Sequence, residues 1–408
     1  MNYVKIINDK KCIGNSTTLR ELFISFSLLG FTAFGGPIAH LGYFREEFVL
    51  RRKWLNEDTY LSIVTMCNFL PGPSSSQVGI LIGMMRGGIL GAIVAWCSFT
   101  LPSAIILIAF AIYYSNNTNG ADYIWLHGLK LVAVAIISQA VVGMTSTRRK
   151  DLRHIFLICL SSFICIMNPS QITQFIVIIL GALYGLIFLI DLTEKTTTRI
   201  PIYVNRELAK LSALILVSLM TISFIFIYYS NNELTKLLAE MFVIGSTVFG
   251  GGHVVLPMLN QVVVATGLMS NDVFLSGYGI AQAIPGPLFT FSSYLGAALV
   301  KYPFNLIYGI LCLIAIFLPS FLLLNIVVPI WNNVQNNKNI LSAIKGIESV
   351  VIGILAAALY NPVYLNTVKS QQDNILVALM FFLLVFIKIP SYFIVVIGLL
   401  SGYVTSIL

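Results

Sequence analysis

Long runs of apolar residues separated by short polar loops make up most of the chain. Nine runs are predicted to span a membrane, the shorter ones together with their flanking residues: 88–114, 123–144, 155–167, 172–190, 208–229, 304–330, 340–360, 375–387 and 391–408. A helix needs about 20 apolar residues to cross a bilayer, and only helices and closed barrels satisfy every backbone group in lipid. These runs are too long and continuous for barrel strands. The pattern therefore predicts an all-α polytopic membrane protein.

Four other apolar runs are interrupted by glycine and proline. They are 22–44, broken at Gly35-Gly36-Pro37; 60–85, broken at Pro71-Gly72-Pro73; 237–256, broken at Gly250-Gly251-Gly252; and 273–300, broken at Pro285-Gly286-Pro287. Proline lacks an N–H donor and glycine relaxes the backbone, so we expect each helix to break at these residues. Irregular backbone at membrane depth is tolerated only where it is buried in protein or lines a cavity. The breaks therefore mark a candidate functional centre.

The interrupted runs occur in matched pairs. Residues 30–36 read GFTAFGG and residues 245–251 read GSTVFGG, so five of the seven positions are identical at an offset of 215. The Pro-Gly-Pro triplets match at an offset of 214, and the Leu-Pro-Ser of residues 101–103 recurs at an offset of 217. Blocks that recur in the same order at a nearly constant offset indicate an internal duplication, which is common in transporters.

The duplication divides the chain into three parts. We predict an N-terminal repeat over residues 20–192, a linker with an extra transmembrane helix over residues 193–232, and a C-terminal repeat over residues 233–408. In this division each repeat contains two interrupted runs followed by four continuous ones, and the run at 208–229 stands between the repeats.

The loop charges predict an orientation. Loops 148–153 and 193–210 are rich in Lys and Arg, whereas loops 115–122 and 168–174 contain neither. Cytoplasmic loops carry the excess of Lys and Arg, so we expect the first two loops inside and the other two outside. The basic loop 45–53 then stays inside only if both interrupted runs of the first repeat dip into the membrane and return.

This topology places the second repeat upside down, because the helix at 208–229 changes the side from which it starts. The predicted fold is therefore two inverted homologous halves with broken or re-entrant helices at the FGGP/FGGG and Pro-Gly-Pro motifs. The N-terminus is expected in the cytoplasm, and the chain is expected to be multi-pass in the plasma (inner) membrane. Inverted repeats with discontinuous helices are typical of secondary transporters.

Composition excludes the other broad classes. Of 408 residues, 58% are hydrophobic and 10% are charged, with mean hydropathy +0.90, whereas soluble domains carry about 25% charged residues. A soluble globule, a disordered chain and a secreted disulfide scaffold are therefore excluded. The net charge of 24 − 16 = +8 is explained by loop orientation, so we expect no nucleic-acid partner. The six cysteines form no Cys-x-x-Cys, and we expect no metal site and no cofactor.

The broken helices offer an anion site. A helix N-terminus exposes free N–H groups and about half a positive charge, which suits anions. Hydroxyl and amide side chains follow each Pro-Gly-Pro: Ser74, Ser75, Ser76 and Gln77 in the first half, and Thr290, Ser292 and Ser293 in the second. We predict that a tetrahedral oxyanion is held between the two breaks. The break glycines belong to this predicted site: Gly35, Gly36, Gly72, Gly250, Gly251 and Gly286. The alternative is that the hydroxyl groups only cap and pack helices.

Several ionisable residues lie within or beside the apolar runs. His40 and His253 each follow a glycine break and are candidates for proton relay or ligand binding, or simply packed side chains. Lys130 and Lys345 lie 215 residues apart and are interpreted as counter-charges for the anion, or as side chains that snorkel to the interface. Proton-coupling candidates among the carboxylates are Glu240 and Glu348. We expect Asp58 and Asp272 to cap the helices they precede.

Taken together, these motifs resemble the chromate ion transporter family in its long, two-domain form. The first half carries Phe34-Gly35-Gly36-Pro37-x-Ala39-His40, Arg52-x-Trp54-Leu55, Leu70-Pro71-Gly72-Pro73-x3-Gln77, Gly83 and Leu101-Pro102-Ser103. The second half carries Phe249-Gly250-Gly251-Gly252, Pro257, Gln282-x2-Pro285-Gly286-Pro287 and Gly296. The resemblance implies a secondary transporter that exports chromate, an ion similar to sulfate in shape and charge. Asn68 departs from the pattern, since glutamine is expected there as at Gln282. Both side chains are included among the expected anion contacts.

Proton-coupled oxyanion export is the leading hypothesis, with two alternatives. An anion channel would use the same site without alternating access. A membrane-embedded enzyme is disfavoured because the sequence has no His-Glu-x-x-His, no Gly-x-Ser-x-Gly and no paired aspartates within spans. The expected partners are a small oxyanion and the lipid bilayer, and a homodimer is left open.

Overall fold

The structure is a computed structural model, and it describes residues 4–6, 18–116, 124–146, 151–190, 202–249, 252–300, 303–335 and 337–405. Most of these residues are helical, which confirms the predicted fold class. The only strands within the described ranges are β1 (Val4–Ile6) and β2 (Ile202–Val204), which form a short antiparallel ribbon. Six described helices are long and apolar enough to cross a bilayer. The protein is a multi-pass membrane protein.

The first half contains seven helices. They are α1 (Leu19–Thr32), α2 (Gly36–Arg45), α3 (Glu57–Phe69), α4 (Ser74–Asn116), α5 (Ile124–Ser146), α6 (Leu152–Met167) and α7 (Gln171–Phe188). A π-helical segment, Glu46–Arg51, continues α2. Helix α4 bends at Gly87 and Gly88, where the backbone is not helical. Helix α4 therefore consists of two helical segments, called here its short arm (before the bend) and its long arm (after it).

The linker helix α8 (Arg206–Tyr229) precedes the helices of the second half. Those helices are α9 (Glu233–Thr247), α10 (Val255–Val263), α11 (Asn271–Ala283), α12 (Phe291–Ala298), α13 (Asn305–Val327), α14 (Trp331–Val334), α15 (Lys338–Ala358), α16 (Leu365–Thr367), α17 (Gln371–Phe382) and α18 (Ser391–Thr405). Short 3₁₀ turns precede α10 and α12 and follow α13, and π-helical segments follow α15 and α17. Helix α15 thus leads through a distorted turn into α16.

The first interrupted run forms a hairpin whose two ends lie at the same end of the molecule. At the start of α1, the Leu22 side chain lies 3.2 Å from the position of a Cβ on Gly91, just beyond the bend of α4. Just after the C-terminal end of the hairpin, the guanidinium groups of Arg52 and Arg86 both lie over the Trp54 ring. Arg86 is the last residue of α4 before its bend. Both ends of the run therefore meet the bend of α4, as the re-entrant interpretation predicts.

The second half repeats this arrangement. Glu233 at the start of α9, Gly267 after α10 and Leu299 after α12 line one cavity, so these three helix ends lie together. Helices α11 and α12 run antiparallel: the Phe291 ring at the start of α12 contacts Tyr278 in the second half of α11, and the Tyr294 hydroxyl, midway along α12, donates to the carbonyl oxygen of Val273 near the start of α11 at 2.9 Å. Both interrupted runs of this half are also hairpins.

The two halves are inverted relative to each other. The long arm of α4 and its counterpart α13 pack side by side, with Trp96 against Phe317 at a ring separation of 5.5 Å. Farther along α4, Ile108 lies beside Gly309, near the start of α13. Residue numbers rise along one helix as they fall along the other, so the equivalent helices are antiparallel. A two-fold axis within the membrane plane has this consequence.

The peripheral helices interlock the halves. Helix α15 of the second half packs against α6 and α7 of the first, and α5 of the first half packs against α17 and α18 of the second. Small residues permit the close approach: Gly181 meets Gly346, and Gly128 meets Gly398. Such contacts are typical of helix packing in membranes, where backbone proximity replaces the hydrophobic effect as the source of attraction.

Candidate functional site

The two Pro-Gly-Pro breaks exchange backbone hydrogen bonds across the interface between the halves. The Gly72 N–H donates to the Val248 carbonyl at 2.6 Å, and the Gly286 N–H donates to the Ala33 carbonyl at 3.0 Å. Ala33 and Val248 end the first helices of the two halves, and they are equivalent at the offset of 215. Both glycines have positive φ, 108° and 114°, a conformation that other residues adopt only at a cost. The breaks of the two halves therefore hold each other in place.

Serine side chains from the Leu-Pro-Ser motifs complete this crossing. Ser320 of the second half lies beside Gly72, where its Oγ is 3.1 Å from the position of a Cβ on that glycine. In the mirror arrangement, the Ser103 Oγ lies 2.7 Å from the corresponding position on Gly286. Both serines are fully or almost fully buried. In the sequence, the Leu-Pro-Ser blocks mark only the repeat, and no local signal there indicates that these two serines belong to the site.

The first break is followed by a buried polar network. The Gln77 Nε2 donates to the Pro71 carbonyl at 2.6 Å and lies 3.4 Å from the Ser320 Oγ. His40 is fully buried, with its Nε2 3.2 Å from the Ala33 carbonyl and its Nδ1 3.4 Å from the Ser75 Oγ. Since a carbonyl only accepts, Nε2 carries the proton in the neutral ring and Nδ1 accepts from Ser75.

This network reaches both breaks. The Ala33 carbonyl accepts from both His40 and the Gly286 N–H, so a chain of three hydrogen bonds runs from Ser75 after the first break to Gly286 in the second. Two buried atoms beside the chain have no partner, the Ser76 Oγ and the Gln77 Oε1. Buried polar atoms without partners are uncommon, and at a binding site they are available to a ligand or to water.

The second break is different, because its hydroxyl groups are used locally. The Thr290 Oγ1 donates to the Pro287 carbonyl at 2.6 Å, and the Ser292 Oγ donates to the Phe289 carbonyl at 2.9 Å. The Ser293 Oγ donates to the Thr290 carbonyl at 2.7 Å. In this half the contacts match the capping and packing interpretation of the hydroxyl groups.

The remaining break residues fall into two groups. Gly35 and Gly36 have positive φ, 101° and 78°, and Pro37 lies 3.5 Å from the position of a Cβ on Gly252, so the glycine breaks of the two halves are also neighbours. Three predicted site elements lie outside the described residues: Gly250, Gly251 and the side chain of His253.

Asn68 and Gln282, which pair in the repeat, have different surroundings. Asn68 is exposed, whereas Gln282 is partly buried. The Gln282 side chain lies beside that of Tyr278, and its Nε2 has no hydrogen-bond partner. The Gln282 carbonyl accepts from the Ser391 Oγ at 3.3 Å. Gln282 therefore presents an unused donor near the second break.

The Lys130 ammonium is not placed with the breaks. It pairs with Asp272 at 2.8 Å, and Asp272 lies in the first turn of the 13-residue helix α11. The Pro-Gly-Pro follows the other end of α11, about 20 Å away at 1.5 Å per residue. The expected counter-charge at the anion is thus engaged near the end of the molecule, as the snorkelling alternative implies.

The expected caps also require a correction. Asn56 caps α3 through a hydrogen bond from the Thr59 N–H, and Ser270 caps α11 through one from the Val273 N–H. Asp58 and Asp272 occupy the first turns, where a negative charge favours the helix dipole, but they are not the capping residues.

The other ionisable candidates lie apart from the hydroxyl network. Lys345 and Glu348 are on α15, close to Gly346, where that helix crosses α7. Glu240 on α9 is 8% exposed and accepts a hydrogen bond from the Gln171 Nε2 at 2.7 Å. Across the described ranges, no three His, Cys, Asp or Glu side chains come together as metal ligands do.

Comparison with known proteins agrees with this arrangement of two halves. A family model described as chromate transporter matches residues 20–186 and again residues 235–403. The chain belongs to the chromate transporter family. This confirms the resemblance seen in the sequence, and both matches include the break motifs of their half.

Three similar relatives of the family extend over most of the chain. An uncharacterized transporter of Methanocaldococcus jannaschii is 26% identical over 97% of this chain and 96% of its own length. A probable chromate transport protein of Synechococcus elongatus is 26% identical over 84% of each chain. A chromate transport protein of Pseudomonas aeruginosa is 23% identical over 83% of this chain and 79% of its own. No solved structure matches the chain.

Proposed function

We propose that this protein is a secondary active transporter that exports chromate, or a related oxyanion such as sulfate, across the plasma membrane, and that this transport is coupled to protons. The observation that carries the proposal is the reciprocal pairing of Gly72 with Val248 and of Gly286 with Ala33 in two inverted halves. Discontinuous helices that meet in this way between inverted repeats are where secondary transporters bind substrate. Two of the relatives are named for chromate transport.

The anion is bound between the breaks, chiefly by the first half. The N–H groups of Gly72 and Gly286 are already donated to carbonyls of the opposite half, so the hydroxyl groups of Ser74, Ser75 and Ser76 are the main donors. The two helix N-termini together supply about one positive charge, which is half of that needed for a dianion. This partial neutralisation allows release, because a permanent tight ion pair would hold the substrate too strongly.

The Gly72 and Gly286 pairs also suggest how the halves move. If one half rocks against the other, as in alternating access, both cross-half bonds must shift together because each half donates one and accepts one. The same movement changes which hairpin mouth is open to the site. The two mouths face opposite ends of the molecule, since the halves are inverted.

His40 couples the anion site to protons in this proposal. In the neutral ring, Nδ1 accepts the Ser75 hydroxyl proton. A proton added at Nδ1 removes that acceptor, frees Ser75 to donate to the anion, and adds a positive charge beside it. The other proton-coupling candidates are Glu240, Glu348 and His253.

The orientation follows from the basic end of the molecule. Val204, just before α8, belongs to the same apolar cluster as Leu22 and Trp54 at the mouth of the first hairpin. Arg52 and Arg206 therefore lie near one end, and the positive-inside rule assigns that end and the N-terminus to the cytoplasm.

Transport in proteoliposomes tests the function. We expect saturable chromate or sulfate uptake that is driven by an imposed proton gradient and abolished by an uncoupler. A channel would instead give uncoupler-insensitive flux that follows the membrane potential. Competition among chromate, sulfate, molybdate and phosphate then ranks the substrates, and absence of competition by every oxyanion would contradict the proposal.

A further inference from the structure

A small polar cavity lies apart from the breaks, between helices of the two halves. Its volume is about 10 Å³, roughly the room that a single buried water requires. Helices α6 and α7 of the first half and α10 and α15 of the second contribute to its wall. The lining contains four carboxamide side chains: Gln174, Asn260, Gln261 and Asn361.

Two of these carboxamides carry buried atoms without hydrogen-bond partners. Gln174 is 5% exposed and has an unpaired Oε1, and Asn260 is 3% exposed and has an unpaired Nδ2. One atom is an acceptor and the other a donor, so a single water that donates to Gln174 and accepts from Asn260 satisfies both. The chemistry of the cavity therefore matches water.

A buried carboxylate lies one helical turn away. Gln171 precedes Gln174 by one turn on α7, and its Nε2 donates to the Glu240 Oε2 at 2.7 Å. Helices α8, α10 and α13 pack against α9, which carries Glu240. Helices α10 and α13 contain no acidic or basic residue. The charged residues of α8 all lie within residues 206–210, at the end of α8 that is remote from its connection to α9. These three helices, and α7, therefore place no basic residue beside Glu240; on α9 itself, Lys236 lies one turn before it.

The first half has no counterpart of this arrangement. At the offset of 215, Glu240 corresponds to Ser25 and Asn260 to Arg45. Ser25 donates its hydroxyl to the Glu21 carbonyl at 2.6 Å, and Arg45 pairs with Glu57 at 2.7 Å. The buried carboxylate and the polar cavity are therefore additions to the repeated scaffold, which points to a task that only one half performs.

We propose that this cavity holds a water molecule that links Glu240 to the aqueous phase at the N-terminus of α7, and that protons reach Glu240 by this path. In each step, a hydronium ion transfers one proton to the Glu240 carboxylate and leaves a water and a carboxylic acid; release is the reverse. Gln171 orients the carboxylate. The inference rests on the proton coupling proposed above, and it makes Glu240 a second proton-binding group beside His40.

Cys165 lines the cavity and reports on its water independently of transport. In a full-length chain whose other five cysteines are replaced by alanine, we expect the Cys165 thiol to exchange its proton for deuterium in D₂O, followed by the S–H stretching band in the infrared spectrum. Replacing the polar wall, by Gln174→Leu or Asn260→Leu, should slow that exchange about tenfold by excluding water. A chain with Cys312 alone, fully buried elsewhere, is the slowly exchanging control. A Cys165 thiol that exchanges no faster than that of Cys312, or equal rates in all variants, would overturn the cavity water.

Two transport assays then test the proton path. In Glu240→Gln and Asn260→Leu, we expect net uptake driven by a proton gradient to fall about tenfold, while equilibrium exchange of labelled anion stays within about twofold. The matched control is Ser25→Ala, at the counterpart of Glu240, which should keep both activities. Equal losses in both assays would show that Glu240 is structural and would overturn the path. A wild-type chain that moves no oxyanion in either assay would overturn the proposed function, while the Cys165 result still decides the cavity water.

Discussion

The two Pro-Gly-Pro breaks have nearly the same backbone and very different side chains. Gly72 and Gly286 share a positive φ and donate to equivalent carbonyls of the opposite half. The side chains around the two breaks differ. Where the first half has His40, Ser75 and Gln77, the second half has Val255, Phe289 and Phe291 at offsets of 215 and 214, all of them buried.

This contrast shows how a duplicated scaffold can divide its work. The backbone geometry must be symmetric, because each break is held by the other half. The side chains are not bound by that requirement, so one half can carry the polar chemistry while the other packs with aromatic rings, such as Phe291 against Tyr278 and Tyr294. We infer that the substrate meets one polar wall and one largely apolar wall.

Glycine replacement tests the shared part of the comparison and should have the largest effect. In Gly72→Ala, the new Cβ would lie 2.9 Å from the Gln77 Nε2 and in a left-handed backbone, and in Gly286→Ala it would lie 2.7 Å from the Ser103 Oγ. The strain alone is about 1–3 kcal/mol. We expect both variants to lose transport at least about tenfold and to unfold at lower temperature, measured by uptake and by thermal unfolding of the purified protein.

Gly42→Ala is the matched control for these variants. Gly42 lies within α2, and no atom lies within 4 Å of the position that a Cβ would take there. The stability of this variant should therefore be unchanged or rise by about 0.5–1 kcal/mol. Loss of transport in Gly72→Ala with normal transport in Gly286→Ala would show that the cross-half bonds are not equivalent.

Hydroxyl removal tests the part in which the breaks differ. Replacing Ser74, Ser75 and Ser76 together by alanine removes the donors of the first break, and we expect substrate affinity to fall about tenfold or more, since one hydrogen bond to a charged group contributes about 1.5–3 kcal/mol. The comparison variant replaces Thr290, Ser292 and Ser293 of the second half together by alanine. The hydroxyl groups of these three residues already donate to carbonyls. That variant should change affinity by less than about threefold. Uptake measured over a range of substrate concentrations compares the two triples, and equal losses would refute the division of work.

Much of this arrangement was predictable from the sequence, because it depends on local chemistry. Proline and glycine at residues 71–73 and 285–287 forbid a continuous helix, and the offset between the halves is visible in the letters. The inversion followed from the loop charges. The pairing of Gly72 with Val248 was not predictable, since it joins residues far apart in sequence and depends on how the halves dock.

The unequal use of the hydroxyl groups was also beyond the sequence. Serine and threonine after a break serve equally well as caps and as ligand donors, and only the positions of neighbouring carbonyls distinguish Thr290, whose hydroxyl is engaged, from Ser76, whose hydroxyl is not. The ion pair of Lys130 was not predictable either, because its partner Asp272 lies in the second half, 142 residues away.

His40→Gln tests the proton-linked side of the first break. Glutamine can keep one hydrogen bond, to Ala33 or to Ser75, but it cannot gain a proton, so we expect uptake driven by a proton gradient to fall about tenfold while anion exchange falls less. The replacement of its counterpart by a similar apolar residue, Val255→Leu, should not separate the two activities. If His40→Gln lowers both activities equally, His40 only supports the fold of the first break.

The smallest effect is expected for the ion pair that the structure separates from the breaks. The Asp272 side chain is 66% exposed, and exposed ion pairs contribute about 0–1 kcal/mol. Lys130→Gln and Asp272→Asn should therefore leave substrate affinity within about twofold, and the double variant should match the singles because each removes the same pair. Uptake at several substrate concentrations, at low and high salt, measures this. A loss of affinity in Lys130→Gln that Asp272→Asn does not share would mean that the ammonium leaves Asp272 and reaches the anion in another state of the cycle. Lys130 would then supply a positive charge at the second break, whose own side chains are largely apolar.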